Sequence, residues 1–468
     1  MAIRFFDTRV RALADFVPLR EGEVRMYTCG PTVYNFAHIG NFRTYMFEDL
    51  LRRVLRWRGY RVTQVMNLTD IDDKIIRACR QEKITPDVYT APYKAAFFED
   101  LDALRIERAE TYPAATAHVP EMVALVESLV AKGHAYRADD GSIYFRIATF
   151  PRYGELSHMN LAELQVGARV AADEYEKDQV SDFALWKAWD PDDGDVFWET
   201  ALGKGRPGWH IECSAMSMKY LGQTFDIHTG GVDNIFPHHE NEIAQSEGGT
   251  GHPFVRYWLH SEHLMVEGRR MAKSLGNFYT LRDLTDKGHS PVVVRYLLLS
   301  THYRTQLNFT MAGLEGAKGA VERLRDFQQR LYEIDRPGDA QDDFVSAVDE
   351  TRGEFGAALD DDLNIAGALA CLFNFVRDTN KRLEIDGLRQ ADAAVALALL
   401  DDVDRILDVL RPETQIGDES RILQLIEERK DARARKDWKR ADEIRALFDQ
   451  MGIVIEDTPT GTRWKHKV

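Results

Sequence analysis

Residues 26–41 read MYTCGPTVYNFAHIGN and join three kinds of local structure in one short segment. Residues 24–29 have the pattern of a strand, Gly30 and Pro31 make a turn, and the residues that follow His38 begin a helix. A turn between a strand and a helix leaves backbone N–H groups unpaired, and such groups bind phosphate. The segment therefore predicts a nucleotide-binding α/β fold.

The residues that follow extend this segment to a β–α–β unit. Residues 43–58 place apolar side chains at helical spacing, Gly59 suits the end of that helix, and residues 61–68 form a second strand. This order is Rossmann-like and places a ligand at the carboxyl ends of the strands. Thr69 and Asp70 come directly after the second strand, where a substrate contact and a simple helix cap are both compatible with the pattern.

Composition limits the classes of protein that the chain can belong to. The 468 residues suggest roughly three domains. No apolar run is long enough for a transmembrane helix, and the first residues lack a signal sequence, so we expect a cytoplasmic protein with no membrane partner. The formal net charge of −16 argues against a nucleic-acid binder whose whole surface is basic, but a local basic patch is still possible.

The later part of the chain changes pattern several times. A short strand and an acidic turn set the middle region apart from the helical residues before it, and we interpret that region as an insertion. Amphipathic helices dominate beyond it. The predicted division is 1–133 and 206–260 for the two halves of the Rossmann-like domain, 134–205 for the insertion, 261–315 for a region with a glycine-flanked loop, 316–410 for a helical bundle, and 411–468 for a small last domain.

Four residues have side chains that suit one metal ion: Cys29, Cys213, His238 and Glu242. His238 and Glu242 are four residues apart and share a face of a helix that we expect to begin at Pro237. Taken singly, each residue is explained better by core packing or helix capping. Two thiolates, an imidazole and a carboxylate together suit zinc.

The neighbouring His239 lies on another face of that predicted helix, so we expect it outside the ligand set.

Seven motifs carry a resemblance to a known family. The chain resembles the cysteinyl-tRNA synthetases, which are class I aminoacyl-tRNA synthetases, along nearly its whole length. The motifs are YTCGPTVY at 27–34, HIG at 38–40, GWHIECSAM at 208–216, GGVD at 230–233, FPHHENEIAQS at 236–246, MAKSLGN at 271–277 and GIVIEDTP at 452–459.

The resemblance implies a reaction, a set of partners and a fold. ATP and L-cysteine would give cysteinyl-adenylate, and the cysteinyl group would pass to the 3′-terminal ribose of tRNA(Cys). One Zn²⁺ on the four predicted ligands would bind the substrate thiolate, Mg²⁺ would arrive with ATP, and the enzyme would act as a monomer. The fold would be an α/β Rossmann-like catalytic domain with an insertion, then a stem-contact region, an α-helical bundle and a small C-terminal anticodon-binding domain.

The resemblance also implies roles for individual residues. A packing role is as compatible with Trp209 as a role in the amino-acid pocket. The implied sets are His38, Asn41 and Lys273 for catalysis; His38, Gly40, Asn41, Gly231, Asp233, Arg270 and Lys273 for ATP; Tyr27, Thr69, Trp209 and His228 for the substrate; and Arg429, Arg433 and Trp438 for tRNA.

Two signatures depart from the family pattern. Asn41 replaces the second histidine of His-Ile-Gly-His and cannot become cationic. Residues 270–274 read Arg-Met-Ala-Lys-Ser where Lys-Met-Ser-Lys-Ser is usual, so Ala272 lacks a hydroxyl. These departures keep open a non-catalytic tRNA-binding or zinc-binding relative. A cysteine ligase with a small amino-sugar acceptor is a further alternative, but it would not need the basic segment at 427–440.

Overall fold

The computed structural model describes residues 2–159, 169–170, 182–271, 276–385, 387–411, 419–435, 437–450, 453–458 and 461–466. Its strands are β1 (Arg4–Asp7), β2 (Ala12–Asp15), β3 (Glu23–Thr28), β4 (Arg61–Met66), β5 (Ala135–Arg137), β6 (Ile143–Phe145), β7 (Arg169–Val170), β8 (Asp182–Ala188), β9 (Trp198–Thr200), β10 (Gly203–Pro207), β11 (Phe225–Gly231), β12 (Val255–Ser261), β13 (Leu264–Val266), β14 (Arg269–Arg270), β15 (Leu307–Phe309), β16 (Ile453–Thr458) and β17 (Gly461–His466).

The helices are α1 (Ile39–Trp57), α2 (Asp73–Glu82), α3 (Pro86–Ala103), α4 (Val119–Ala131), α5 (Trp209–Leu221), the single turn α6 (Val232–Asn234), α7 (Glu240–Thr250), α8 (Leu281–Thr285), α9 (Pro291–Leu299), α10 (Met311–Tyr332), α11 (Asp342–Asp360), α12 (Ile365–Ile385), α13 (Gln390–Leu407), α14 (Glu419–Ala434) and α15 (Trp438–Gln450). None of these helices, within the residues that the structure describes, is long and apolar enough to cross a membrane.

A four-stranded parallel sheet forms the centre of the first domain. Its strand order is β12-β11-β3-β4, and every neighbouring pair is parallel. The strands carry buried side chains on both faces, as expected for a sheet with helices on both sides. Because the strands are parallel, their carboxyl ends meet at one edge, and this geometry confirms the Rossmann-like prediction.

Helix α1 begins earlier than its apolar pattern indicated. His38 is the N-cap residue, and its side chain accepts a hydrogen bond from the Asn41 backbone N–H. A capping side chain forms hydrogen bonds with the free backbone N–H groups of the first helical turn. This turn can therefore form without apolar residues, so the spacing of apolar residues does not mark where the helix begins. The predicted stop at Gly59 follows the helix, with φ at +91°.

The middle region forms a separate mixed sheet. Strands β5, β6, β8, β10 and β9 pair in that order, and β7 pairs with β8. Three small sheets complete the described strands. Strands β1 and β2 pair antiparallel, β14, β13 and β15 form a three-stranded sheet, and β16 and β17 form a hairpin that packs on α15.

Buried ion pairs join the first domain to the helical bundle. Asp49 on α1 accepts from Arg53 Nε at 2.8 Å, and its Oδ2 lies 2.8 Å from Arg295 Nη1 on α9. Asp408 at the end of α13 accepts from Arg53 Nη2 at 3.2 Å. The Asp49 and Arg295 side chains are fully buried, so each charge depends on its partners for stabilisation.

We predict that Asp49→Asn destabilises the joint between α1 and α9. The substitution keeps the shape of the side chain and removes the carboxylate that Arg53 and Arg295 share. An uncompensated buried charge costs about 3–5 kcal/mol. Thermal unfolding should therefore begin several degrees lower. Asp378→Asn, in an exposed ion pair with Arg377, is the control and should change little, and equal effects of the two substitutions would contradict the prediction.

Candidate active site

A cavity of about 580 Å³ opens at the carboxyl ends of β3 and β11. Its volume is in the range of small-molecule sites. The described residues of the predicted ATP set all line this cavity: His38, Gly40, Asn41, Gly231, Asp233 and Arg270. Lys273 lies outside the described residues. Cys29 also lines the cavity, so the predicted metal ligands adjoin the predicted ATP site.

His38 and Asn41 hold each other at the start of α1. Asn41 Oδ1 accepts from the His38 backbone N–H at 3.1 Å, and His38 Nδ1 accepts from the Asn41 backbone N–H at 3.2 Å. An accepting Nδ1 assigns the proton of a neutral imidazole to Nε2. Nε2–H is then the donor that His38 can offer to a phosphate oxygen.

Gly40 lies where a side chain would not fit. A Cβ atom there would come within 2.9 Å of His38 Nδ1 and 3.1 Å of Met271 Cε. The absence of a side chain therefore allows the His38 ring to pack over the first turn of α1.

The other predicted ATP residues lie around the mouth of the cavity. Arg270 is exposed on β14, and its backbone carbonyl accepts from Asn277 Nδ2 at 3.1 Å across the 272–275 segment. Asp233 in α6 is about half exposed and lies 3.4 Å from His263 Nε2. Both charged groups can therefore reach a ligand in the cavity without losing all contact with water.

The structure brings three of the four predicted metal ligands together beneath the cavity, with His239 beside them. The ligand atoms of Cys29, His238, His239 and Glu242 lie within 4.8 Å of one another. The fourth predicted ligand, Cys213, is not part of this group, although its buried thiol interacts with Cys29 and His238. The ligand atoms of the cluster come from the residue that follows β3, from the Ile235–His239 segment and from α7, and Cys213 lies on α5.

His239 differs from its predicted position outside the ligand set. Its Nε2 lies 3.3 Å from Cys29 Sγ and 3.9 Å from Glu242 Oε1, and its side chain is fully buried. The predicted helix start at Pro237 agrees with the backbone angles, because Phe236 alone is non-helical in the π-helical segment Ile235–His239, and the residues from Pro237 lead directly into α7. Phe236, directly before Pro237, has extended φ and ψ angles, as is usual for the residue that precedes the first turn of a helix.

The electrostatics of the cluster fit a bound cation. The hydrogen bond between the two thiols lowers the pKa of Cys213 to about 6. Burial opposes ionisation of Glu242, but His228 and His238 lower its pKa to about 2. Burial likewise opposes protonation of His238, but Glu242 and Cys213 raise its pKa to about 10. The Cys213 thiolate and the Glu242 carboxylate thus share one positively charged neighbour, the protonated His238 imidazole. A divalent cation bound there would be stabilised by the same two anions.

Glu242 supplies a further observation in favour of a ligand. Glu242 Oε1 is buried, and it accepts no well-formed hydrogen bond among the described residues, although His238 Nε2 lies 3.1 Å away. Buried carboxylate oxygens normally have a partner. The donor set and this free oxygen fit a zinc ion.

Three of the four predicted substrate residues, Tyr27, Trp209 and His228, lie against this group of side chains. Tyr27 is fully buried, and its hydroxyl lies against Cys213. Trp209 stacks on His238 with ring centroids 4.6 Å apart. His228 is fully buried behind the cluster, and its Nε2 lies 3.0 Å from Glu242 Oε2. Thr69 donates to Glu212 Oε2 at 3.1 Å.

Two further histidines were not predicted from the sequence. His210 Nδ1 lies 2.8 Å from His238 Nδ1, and His260 Nε2 lies 2.8 Å from His239 Nδ1. His210 is inside a quoted motif, but nothing in its spacing indicated a contact with His238. His260 lies near the carboxyl end of β12. A position at the carboxyl end of a parallel strand was the sequence feature that could have indicated a place in the site.

The three predicted tRNA residues differ in exposure. Arg429 is largely buried, Arg433 is exposed, and Trp438 is 59% exposed at the start of α15. The small domain has its own apolar core, which includes Leu425, Ile444 and Phe448. Trp438 does not belong to that core.

Comparison with solved structures identifies the class of the fold. A Mycobacterium tuberculosis methionyl-tRNA synthetase in complex with methionyl-adenylate is similar, with a TM-score of 0.62 and 14% identity over 82% of this chain and 89% of that one. A LeuRS–tRNA–LeuAMS complex of Agrobacterium radiobacter has a TM-score of 0.61 and 12% identity over 85% of both chains. The chain therefore shares its fold with these synthetases, and the family model that matches residues 15–319 is that of a class I synthetase catalytic domain.

Comparison with sequences identifies the family. The family described as "tRNA synthetases class I (C) catalytic domain" matches residues 15–319, the DALR domain matches 354–411, and the "Cysteinyl-tRNA ligase anticodon binding domain" matches 419–464. A cysteine–tRNA ligase of Protochlamydia amoebophila is 52% identical over 99% of this chain and 98% of its own length. One of Chlamydia muridarum is 50% identical over 99% and 100%. The chain belongs to the cysteine–tRNA ligase family, and it is an enzyme that forms aminoacyl-tRNA.

We predict that Asn41→Asp separates the structural role of this residue, as acceptor for the His38 N–H, from its role as an amide donor in the cavity. Aspartate keeps the oxygen that accepts from the His38 N–H, but it replaces the amide donor with an anion at the cavity wall. Cysteine-dependent exchange of pyrophosphate into ATP should fall about 10²-fold, the cost of losing one preorganised donor. Thermal stability should stay unchanged. Asn41→Ala is the comparison and should lower both quantities; normal exchange by Asn41→Asp would contradict a donor role.

We predict a pH dependence of stability that originates at Glu48 on α1. Burial raises its pKa from 4.5 to about 8, although a hydrogen bond from Thr229 acts in the opposite direction. The folded state therefore holds a proton that the unfolded chain releases, so stability falls as the pH rises from about 4.5 to about 8. Glu48→Gln should make the melting temperature less dependent on pH in this window. Glu350→Gln, at an exposed site on α11, should keep the original dependence.

Proposed function

We propose that the chain activates cysteine with ATP, transfers the cysteinyl group to the 3′-terminal ribose of tRNA(Cys), and recognises the substrate by its thiolate. A zinc ion held by Cys29, Cys213, His238 and Glu242 would supply a soft Lewis acid for that thiolate. The observation that carries the proposal is the buried donor cluster, which adjoins the ATP cavity through Cys29.

The chemistry of selection supports this use of the cluster. Serine has an oxygen where cysteine has a sulfur, and a pocket of ordinary contacts separates two such similar substrates poorly. A thiolate is a much better ligand than a hydroxyl for a zinc ion that already has thiolate ligands. His239 and Trp209 line the same cluster and restrict the space around it.

The nucleotide end of the cavity supplies the groups that adenylate formation requires. The substrate carboxylate attacks the α-phosphorus of ATP and displaces pyrophosphate, and catalysis depends on position and on stabilisation of charge. His38 Nε2–H and the Asn41 amide donate to phosphate oxygens, while Gly231 and Asp233 face the ribose. Arg270 and Lys273 neutralise the triphosphate, and Mg²⁺ accompanies ATP.

The remaining parts of the chain would position the tRNA. We assign the insertion at 134–205 and the 261–315 region to the acceptor end, the 316–410 helices to the body of the tRNA, and the 411–468 domain to the anticodon. The match of residues 419–464 to an anticodon-binding family supports the last assignment. Exposed Arg433 and Trp438 suit contact with unpaired bases. We expect the monomer to act in the cytoplasm.

The test is exchange of labelled pyrophosphate into ATP, with cysteine or serine, together with the zinc content of the purified protein. The unmodified enzyme should contain one zinc per chain and should prefer cysteine by about 10⁴-fold, the ratio expected when one substrate leaves a site group unpaired. Cys213→Ser should lower the zinc content and abolish cysteine-dependent exchange.

Cys371→Ser is the matched control, because this cysteine lies on α12 away from the cluster. It should keep both zinc and selectivity. A folded, zinc-loaded enzyme without exchange would overturn the proposed activation step. Full selectivity in zinc-free Cys213→Ser would overturn the thiolate mechanism alone.

A further inference from the structure

Two aromatic side chains stand exposed at the mouth of the ATP cavity. Tyr34 is 36% exposed and Phe36 is 40% exposed, and both line the cavity. They belong to the loop between β3 and α1. The neighbouring His38, Gly40 and Asn41 are partly buried, so the two rings lie on the outer side of the nucleotide site.

This pair of rings is held in place by other residues. Phe36 packs edge-on against Tyr93 of α3, with ring centroids 5.3 Å apart and planes at 79°. Tyr89 of the same helix donates its hydroxyl proton to the Tyr34 backbone carbonyl at 3.0 Å. Helix α3 therefore holds the Phe36 ring and the Tyr34 backbone, while both rings are still partly exposed to solvent. Core packing does not explain the exposed part of their surface.

Each ring also has a cation beside it. Lys74 Nζ lies 5.0 Å from the centroid of the Tyr34 ring, and Arg282 Cζ lies 5.2 Å from the centroid of the Phe36 ring. Arg282 is held over the Phe36 ring by ion pairs with Glu99 and Asp100, each at 2.6 Å, so its charge is balanced there. Lys74 lines the cavity and places a cation beside the Tyr34 ring at the opening.

An exposed ring beside a cation is suited to an unpaired nucleotide. Bases of single-stranded nucleic acid stack on aromatic side chains, and nearby lysine and arginine attract the phosphates. The transfer step requires a tRNA 3′ ribose to reach the cavity that these rings border. We propose that Tyr34 and Phe36 form a stacking surface for the unpaired 3′-terminal nucleotides of the tRNA.

This inference rests on the proposed function, because it assigns residues to the transfer step. Activation of cysteine needs no tRNA, so the two half-reactions can be measured separately on the same enzyme. ATP could also use the rings for its adenine. That alternative would affect activation, and it is one of the outcomes of the test.

The experiment compares Phe36→Ala and Tyr34→Ala with the unmodified enzyme in both half-reactions. Transfer from the enzyme-bound adenylate to tRNA should fall roughly 10- to 100-fold for each variant, the effect of losing one stacked base. Pyrophosphate exchange should change less than about 2-fold, because stacking on the tRNA does not enter that step. Phe36→Trp and Tyr34→Phe keep an aromatic ring and should restore transfer.

A shortened tRNA provides the matched ligand. Removal of the unpaired 3′-terminal nucleotides should weaken binding to the unmodified enzyme and leave binding to Phe36→Ala unchanged. Tyr220→Ala, which removes a ring that is 40% exposed on α5 and lies outside the regions assigned to the tRNA, is the control and should behave as the unmodified enzyme with both tRNAs.

Three results would overturn this inference. Transfer at the normal rate in both alanine variants would exclude a stacking role. Equal losses of exchange and transfer would assign the rings to ATP or to the structure of the loop. Equal losses of tRNA binding on shortening, in Phe36→Ala and in the unmodified enzyme, would place the 3′ end elsewhere. Absence of exchange in the unmodified enzyme would instead count against the proposed function.

Discussion

Parallel pairing of β3 with β11 is the contact on which the site depends. Residues 26–28 pair with residues 227–229, and the Cys29 backbone N–H donates to the Thr229 carbonyl at 3.3 Å. Because the two strands run in the same direction, the turn at Gly30 and the loop at Gly231 open onto one cavity. A shift of one residue in this register would turn Cys29 away from the other ligands.

The groups beneath that cavity are ionisable and excluded from water. His228, His239 and Glu242 are fully buried, and His238 is nearly so. Each buried polar group must find a partner, so the imidazoles form a connected layer with the carboxylate at its centre. Such a layer fixes the orientation of the ligand side chains, and a metal site needs this support as much as it needs the ligands themselves.

Helix α1 connects this chemistry to the rest of the molecule. Its first turn holds His38 and Asn41 at the cavity, its middle places Glu48 against Thr229, and its other side holds Asp49 against α9. The same rigid element thus contacts the nucleotide site and the helical bundle. Buried charge at the second contact gives the joint a defined geometry, because a shift would leave Asp49 or its arginine partners unpaired.

Local features of the chain predicted much of this arrangement. Turns, caps and short-range spacing depend on neighbouring residues, so the β–α–β unit and the helix after His38 were accessible from the sequence. The donor types at Cys29, Cys213, His238 and Glu242 suggested a metal before any contact was known. By itself the sequence determined the order of elements, the available ligand atoms and the family. Only the tertiary structure decided that His239 faces the cluster and that Tyr34 and Phe36 stay exposed, because burial depends on contacts between residues far apart in the chain.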